Sequence, residues 1–424
     1  MKSFKQRLRY NPLGSTKFKN KGVALILAIT SLMLMVYIAT EVSKDSLIEY
    51  AVNAQELNRI KTYYAARSGM QVALLRVKLF QQASRLTLPP GFGKYLEQIW
   101  KFPFSWPLPI SSDINAVDKE SMKKTNDESF MDASYVHTIE DEGTKIDLND
   151  LVSPSKSLQA VTKTQILNIF HQKMEGDDEF RQNYQNVRFD DLVNHIIDWM
   201  SDSNTSASGG GDKKSAFALL GEGYPPNRGF RTIDELRLVP GMTEELFNLM
   251  RPQITIYGMK AINPNTAPRE VLLSLDTGMT KEAVDAAVKK RGDPDEGPFQ
   301  GSGDACLKNF KAYVEQHGAN RLTPEFDKIP MDCDKVVNFR IKSTGIYGNG
   351  KAATIKNIEA VVMDISGAAQ QVKSSVEKDK SQNQNGQAQP PAGGAQAQTG
   401  AKSGAPKQDP LPKGPPRIVY WSEY

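Results

Sequence analysis

Side chains that can catalyse a reaction are few in this 424-residue sequence, and none has the spacing of a catalytic motif. The sequence contains no HExxH zinc pattern, no Gly-x-Ser-x-Gly nucleophile elbow and no phosphate-binding P-loop. His195 lies in an apolar helical pattern with Ile196 and Ile197, which indicates a packed side chain rather than a base or a metal ligand. We therefore predict a protein without enzymatic activity. The four histidines are His137, His171, His195 and His317.

Residues 22–40 form the one stretch of the sequence that is able to cross a membrane. Its mostly apolar part has about 17 residues, or roughly 26 Å of helix, which is near the lower limit for a membrane span. A basic leader without acidic residues precedes it, so we expect the N-terminus to stay in the cytoplasm and the rest of the chain to lie across the membrane. The leader's basic residues are Lys2, Lys5, Arg7, Arg9, Lys17, Lys19 and Lys21.

The helix is expected to continue well beyond the membrane. No proline occurs between Pro12 and Pro89, and no glycine occurs between Gly22 and Gly69, so nothing interrupts a helix over 23–82. Apolar residues recur at intervals of three and four positions in its second half, which predicts one apolar stripe on a polar rod. The stripe consists of Leu57, Ile60, Tyr64, Met70, Leu74 and Val77.

Charge and cysteine content give two further expectations. Without the seven basic residues of the leader, the net charge falls from +4 to −3, which does not indicate a nucleic-acid partner. Cys306 and Cys333 both lie in the part predicted to be exported, where an oxidising environment lets them form one disulfide. Two unpaired buried thiols are the alternative.

Alternating apolar and polar residues predict a sheet that is interrupted by a helical block. Strand patterns occur at 134–139, 336–347 and 353–363, and the pair Asn349-Gly350 between the last two is typical of a hairpin turn. Helical patterns dominate from 155 to 320, apart from a predicted strand at 254–257. The expected fold class is α+β, with a long N-terminal helix on an antiparallel sheet and a large helical insertion.

The C-terminal region combines a low-complexity tract with a strand-like end. Residues 367–416 are rich in Gln, Ala, Gly, Pro, Ser and Lys, and this composition predicts disorder. Residues 417–424 are aromatic and prone to form a strand, so we expect them to pair as an edge strand of the sheet. Addition of this strand to the sheet of a partner is the alternative.

The junction between leader and apolar stretch, Lys21-Gly22-Val23, resembles the processing site of type IV pilin-like proteins. The resemblance implies cleavage after Gly22, so that Val23 becomes the first, N-methylated residue. The fifth residue is then Leu27, where most members of the family carry a glutamate. The absence of that glutamate is a feature in which this chain resembles protein K, a minor pseudopilin of the type II secretion system. A signal anchor with a chance glycine is the alternative.

Further motifs are similar to the protein K family and occur in the same order. They are Tyr63-Tyr-Ala-Ala-Arg-Ser-Gly69, Lys145-Ile-Asp-Leu-Asn149, the segment from Tyr224 to Leu236, and Asn263-Pro-Asn-Thr-Ala-Pro268. The resemblance implies the following division of the chain: leader 1–22, helix 23–82, pilin-like head 83–154, inserted helical domain 155–320, head strands 321–366, disordered loop 367–416 and C-terminal strand 417–424.

Two segments of the expected insertion, 229–247 and 263–279, resemble helix-hairpin-helix motifs. In forms that bind DNA, a second glycine leaves backbone N–H groups free to approach a phosphate. Thr243 and Thr280 occupy that position here. We therefore expect the motifs to pack helices, and we do not expect nucleic acid as a partner.

The segment Ile197 to Asn204 resembles a run that supplies calcium ligands in the protein K family. Ser201 and Ser203 stand where the family has aspartates, and Gly210-Gly-Asp-Lys-Lys replaces its acidic partner motif. The resemblance leaves two alternatives. One is a weak calcium site, and the other, which we favour, is a metal-free loop that requires no cofactor. The remaining candidate ligands are Asp198, Asp202, Asn204 and Asp212.

The resemblance implies a structural protein that caps the tip of the type II secretion pseudopilus and initiates its assembly for export across the outer membrane. It implies an inner-membrane anchor with a periplasmic head before assembly. The implied partners are the other minor pseudopilins, the prepilin peptidase and the inner-membrane assembly platform, with secreted substrates and the secretin as further candidates. The alternatives are a membrane-tethered DNA-uptake receptor that uses the helix-hairpin-helix motifs and a minor pilin of a type IV pilus.

Overall fold

The computed structural model describes residues 21–84, 99–110, 115–293, 295–348, 350, 353–385 and 416–424. The chain forms two compact units, one ending at Lys61 and the other extending from Thr62 to Tyr424. The longest element, helix α1 (Lys21–Ala83), contributes to both. It runs without interruption over 63 residues, in agreement with the lack of internal proline, and its two glycines, Gly22 and Gly69, do not end it.

The first unit is described over 21–61, all of it in α1. Its apolar side chains from Val23 to Ile60 are exposed, including Leu57 and Ile60 of the predicted stripe. Within the described residues, α1 is the single helix long and apolar enough to cross a membrane, judged by length and composition.

The second unit contains a five-stranded antiparallel sheet in the order β1-β2-β5-β6-β7. Residues 62–83 of α1 lie on one face of this sheet. Ala66, Met70 and Val77 pack there against strand residues such as Ile341 and Ile358. The strands are β1 (Phe104–Trp106), β2 (Ser134–Asp141), β5 (Phe339–Tyr347), β6 (Thr354–Met363) and β7 (Arg417–Glu423).

The strands lie where apolar and polar residues alternate in the sequence. In β2 every second residue is buried, from Tyr135 to Asp141, as expected for a strand with one face on a core. The antiparallel hairpin of β5 and β6 is present, but Tyr347 pairs with Thr354, so its loop is longer than a two-residue turn. Asn349 of the predicted turn lies outside the described residues.

A block of short helices lies between β2 and β5 in the sequence and has its own hydrophobic core. Two short parallel strands, β3 (Ile146–Asp147) and β4 (Ile254–Thr255), pair the start of the block with its middle, with Ile146 opposite Ile254. The predicted strand at 254–257 is therefore shorter than expected. The helices are α3 (Lys156–Gly176), α4 (Asp178–Tyr184), α5 (Phe189–Met200), α6 (Glu244–Met250), α7 (Arg269–Ser274), α8 (Lys281–Gly292) and α9 (Asp304–Gln316).

The prediction of disorder over 367–416 is wrong for its first part. Residues Ile365–Asn385 form helix α10, because Ala368 and Ser375 are buried and the Asp379 carboxylate accepts a hydrogen bond of 2.7 Å from Ser155 Oγ at the start of α3. Its four glutamines and three lysines also favour a helix once a few such contacts exist. Residues 386–415 of the predicted tract lie outside the described part of the chain.

The C-terminal strand β7 pairs antiparallel with β6, with Tyr420 opposite Val361. It therefore lies at one end of the sheet order, as the sequence predicts. Helix α2 (Ala116–Asp127) is an element that the sequence reading does not include. Its mean hydropathy is low and its side chains are mostly exposed, so it gives little amphipathic signal.

Candidate functional site

The first turns of α1 carry the predicted processing site. Gly22 and Val23 are helical, and Leu27 is 64% exposed. Leader residues 1–20 lie outside the described part of the chain, and cleavage after Gly22 stays a prediction. The hydroxyl groups of Thr30 and Thr40 donate to carbonyl oxygens three residues earlier in the helix, at 3.1 and 2.8 Å. Such internal bonding lets a threonine face an apolar surrounding.

Arg76, near the C-terminal end of α1, holds the segment before β1 against the sheet. Its guanidinium donates to the carbonyl oxygens of Ile99, at 2.8 Å, and of Phe102, and lies 2.8 Å from Nε2 of His137. Burial and the Arg76 charge lower the pKa of His137 to about 4. The imidazole is therefore neutral at pH 7, and its Nε2 accepts a hydrogen bond from Arg76. His137 thus has a structural role.

The Lys145–Asn149 motif forms the joint between the sheet and the helical block. Asp147 Oδ1 accepts from Asn149 N at 2.9 Å, while Asp147 Oδ2 accepts from Gly258 N at 3.0 Å and from Lys260 Nζ. Asn149 Oδ1 accepts from Phe230 N at 2.9 Å. The polar side chains of the motif thus form hydrogen bonds with backbone N–H groups at Phe230 and Gly258, which are distant in the sequence.

An ion-pair network adjoins this joint. Glu142 is completely buried, and both of its carboxylate oxygens accept from Arg340 of β5. Lys145 and Thr255 also donate to it, at 2.8 and 2.6 Å. These partners outweigh the desolvation of the carboxylate and hold the pKa of Glu142 at about 2. Arg340 also pairs with Glu359 of β6, so the network connects the helical block to two central strands.

The motif Asn263 to Pro268 forms a second structural joint. Asn265 Nδ2 donates to the carbonyl oxygens of Phe299 and Cys333, at 2.9 and 3.0 Å, and its Oδ1 accepts from Phe299 N at 2.9 Å. Cys306 and Cys333 form a disulfide in the structure, with 5.5 Å between their Cα atoms. The disulfide connects α9 to the chain that leads into β5.

Both threonines of the helix-hairpin-helix segments cap helices. Thr243 Oγ1 accepts from Leu246 N at the start of α6, and Thr280 Oγ1 accepts from Ala283 N at the start of α8, each at 3.2 Å. A cap of this kind occupies an N–H group that a phosphate would otherwise use. Thr243 also lies 2.8 Å from the Tyr184 hydroxyl. This geometry favours helix packing over phosphate binding.

Two of the four candidate calcium ligands are engaged in hydrogen bonds within their own loop. Asp198 is buried, and its carboxylate accepts from Ser206 Oγ and Ala207 N, at 2.6 and 2.7 Å. Asp202, Asn204 and Asp212 are exposed, and Asp212 Oδ1 accepts from Lys214 N at 3.0 Å. Among the residues that the structure describes, no group of three or more His, Cys, Asp or Glu side chains is arranged to hold a metal ion.

Two of the remaining histidines contact aromatic rings, and His171 is exposed. His195 Nδ1 lies 3.0 Å from the Pro240 carbonyl oxygen, and its ring contacts Phe217 edge to face. His317 stacks on Tyr313. Two residues that sequence reasoning missed are Arg340 and Lys213, both of which bind buried acceptors. For Lys213 the sequence offered only a Lys-Lys pair, which does not reveal which ammonium is buried.

Comparison with known proteins adds a family match. The family model described as type II secretion system (T2SS), protein K matches residues 144–259. A solved structure that matches is titled the crystal structure of the GspK-GspI-GspJ complex from the enterotoxigenic Escherichia coli Type 2 Secretion System. It is 16% identical, with a TM-score of 0.48, over 75% of this chain and 95% of that chain. A search of curated proteins found no match. The family match confirms the resemblance that the sequence motifs predict.

Proposed function

We propose that this chain, a protein K-type minor pseudopilin of the type II secretion system, caps the tip of the pseudopilus. The family-model match over 144–259 is the observation that carries the proposal. The role is structural: the histidines and buried carboxylates described above are engaged in packing and ion pairs. We propose that the chain initiates assembly and remains at the apex while further subunits are added below it.

Leu27 supports the position at the tip on electrostatic grounds. A carboxylate in the apolar part of a membrane costs several kcal/mol unless it meets a partner charge. In a stack of pilin-like subunits, the partner of such a glutamate is the amino terminus of the subunit ahead. A subunit at the apex has no subunit ahead of it, so an apolar side chain at the fifth position of the mature chain removes the unmatched charge.

The helical block supports the capping role by its bulk. Its core is the larger of the two main hydrophobic cores among the described residues, and the Glu142–Arg340 network and the disulfide hold it in place. We propose that this rigid insertion prevents another subunit from adding above. The other minor pseudopilins are the proposed partners, and their helices would cover the exposed apolar surface of α1.

The proposed location is the inner membrane before assembly, with α1 as a single anchor and the second unit in the periplasm. The uncharged stretch from Gly22 to Thr40 is followed directly by Glu41, Lys44 and Asp45, which marks the water interface. The prepilin peptidase would cut after Gly22 on the cytoplasmic side, and the assembly platform would receive the mature chain. Calcium is not required in this proposal.

The proposal is tested on the protein isolated from membranes of cells that make the secretion system. We expect an intact mass that starts at Val23, with one methyl group, and copurification with other minor pseudopilins. Antibody labelling of surface pseudopili should mark one end only. A retained leader, or label spread along the fibre, would contradict the proposal. Salt-sensitive binding of duplex DNA would instead favour a DNA-uptake receptor.

A further inference from the structure

The loop between α5 and the turn at Lys213–Ser215 closes on itself through short hydrogen bonds. Thr205 and Asp212 form an antiparallel bridge, and Ser206 N donates to the Gly211 carbonyl at 2.9 Å. The Asp198 carboxylate accepts from Ser206 and Ala207 on the incoming side of the loop. The loop is thus anchored to the C-terminal turn of α5.

Lys213 occupies the centre of this arrangement. Its side chain is almost fully buried, with 1% of its surface exposed. The ammonium donates to the carbonyl oxygen of Asp198, at 3.2 Å, and to that of Ser201. These carbonyls belong to the last turn of α5, where backbone acceptors lack helical partners and the helix dipole favours a cation.

The neighbouring acceptors at this helix end are also satisfied. Ser201 N donates to the Ile197 carbonyl at 2.9 Å, and Asn227 N donates to the Trp199 carbonyl at 3.1 Å. Beside these two N–H groups, the Lys213 ammonium supplies the donor for the Asp198 and Ser201 carbonyl oxygens.

A divalent cation does not fit the same residues. Calcium takes six to eight oxygen ligands, several of them from carboxylates. Both oxygens of the Asp198 carboxylate accept from loop donors, Asp212 accepts from Lys214 N, and the nearby carbonyls accept from Lys213. A calcium ion would have to displace a buried charge of the same sign. Two of the candidate ligands, Asp198 and Asp212, are therefore used for other bonds.

We propose that the Lys213 ammonium is a built-in cation that takes the place of a metal ion in this loop. One covalently attached positive charge closes the 201–213 loop on the end of α5. The loop then folds without calcium, and the stability of the head does not depend on the divalent-ion concentration of its surroundings. This inference concerns the folding of the head and is independent of the proposed position at the tip.

The test compares thermal unfolding of the full-length chain in detergent with excess EDTA and with millimolar CaCl2. Tryptophan fluorescence is a suitable signal because Trp199 lies at this site and stacks on Phe230. We expect the two unfolding midpoints of the wild type to agree within about 1 °C. We expect Lys213→Met to lower the midpoint by about 5 °C or more in both conditions, because buried carbonyls lose their donor.

The matched control is Lys214→Met, which removes an exposed charge next to the same position and should shift the midpoint by less than about 1 °C. Equal midpoints for the Lys213 and Lys214 variants would overturn the proposal. A wild type that binds one calcium ion in a calorimetric titration, or that loses several degrees in EDTA, would also overturn it. If Lys213→Met does not fold, the wild-type midpoints in EDTA and CaCl2 and the calcium titration still test the proposal.

Discussion

Gly345 shows how one residue limits the distance between α1 and the sheet. A Cβ atom at this position would lie 2.1 Å from the Thr62 carbonyl oxygen and 2.6 Å from the Ala66 amide nitrogen. Both are backbone atoms of α1, so no side-chain rotation relieves the overlap. We expect Gly345→Ala to lower the free energy of unfolding by about 1–3 kcal/mol, measured by denaturant unfolding of the full-length chain in detergent.

Gly292 at the end of α8 is a suitable control because no atom lies within 4 Å of a Cβ built there. Gly292→Ala should leave the free energy of unfolding unchanged or raise it slightly, since alanine favours a helix. If both variants unfolded at the same denaturant concentration, the close approach of α1 and β5 would not be the constraint that we describe.

Protonation of the buried Asp141 carboxyl group makes the stability of the protein depend on pH. Burial, as the largest cause, raises its pKa to about 7, although Thr266 Oγ1 and Gly143 N donate to it at 2.6 and 2.9 Å. The folded state therefore keeps its proton at pH values where the unfolded state has lost it. This contribution to stability is fully present below about pH 4 and is lost as pH rises through about 7.

Asp141→Asn tests this sign because an amide keeps the shape, and its Nδ2 can donate to Thr266 while its Oδ1 accepts from Gly143. We expect the variant and the wild type to be similarly stable near pH 4. The variant should become the more stable of the two by up to about 4 kcal/mol at pH 7 and above. The measurement is denaturant unfolding across this pH range. A difference independent of pH would show that Asp141 ionises in the folded state as it does in water.

At the scale of elements, the contact between the sheet and the helical block depends on Arg340 and Glu142. Arg340 lies on β5 and is flanked by Glu142 and Glu359, and all three side chains are largely buried. Breaking a buried pair by removing one partner is costly, because the other charge is left without compensation. The joint between the two substructures is therefore more sensitive to a single substitution than an exposed ion pair would be.

We expect Arg340→Met to lower the free energy of unfolding by about 3–5 kcal/mol, since Glu142 then stays buried without its main partner. The double variant Arg340→Met with Glu142→Gln should recover part of this loss, because it removes the uncompensated charge as well. Denaturant unfolding of both variants measures this recovery. A double variant no more stable than Arg340→Met alone would contradict this explanation.

The elements that the sequence predicted are those whose pattern of apolar residues, or lack of helix-breaking residues, can be read from neighbouring positions. Strands β2, β5 and β6 were visible because their apolar residues alternate, and α1 was visible because no proline interrupts it and its first 46 residues after Gly22 contain no glycine. The Glu142–Arg340 pair was not visible, since its members are 198 positions apart and neither stands in a distinctive pattern. Helix α10 was missed for a related reason. Its few buried residues contact α3, and amino-acid composition alone does not indicate such a long-range contact.

At the scale of the whole molecule, the exposed apolar surface of α1 requires a cover. The side chains from Val23 to Ile38 are each about half exposed or more, and a membrane or neighbouring helices can bury them. Motif order in the sequence predicted a resemblance to the protein K family, and two of the motifs, Lys145–Asn149 and Asn263–Pro268, form structural joints. Whether the 201–213 loop binds calcium stays a prediction, since the hydrogen bonds that engage Asp198 and the burial of Lys213 cannot be deduced from residue type.

Leu27→Glu tests the proposed position at the tip. A glutamate at the apex would lack a partner charge and would cost several kcal/mol in an apolar surrounding. We therefore expect the fraction of pseudopili labelled at one end to fall at least about tenfold, which corresponds to about 1.4 kcal/mol. Secretion into the medium should fall with it. Leu27→Met keeps the side chain apolar and should preserve both readouts. If the Glu variant capped pseudopili and supported secretion as well as the Met variant, the electrostatic explanation of the tip position would be wrong, while the family-model match over 144–259 would be unaffected.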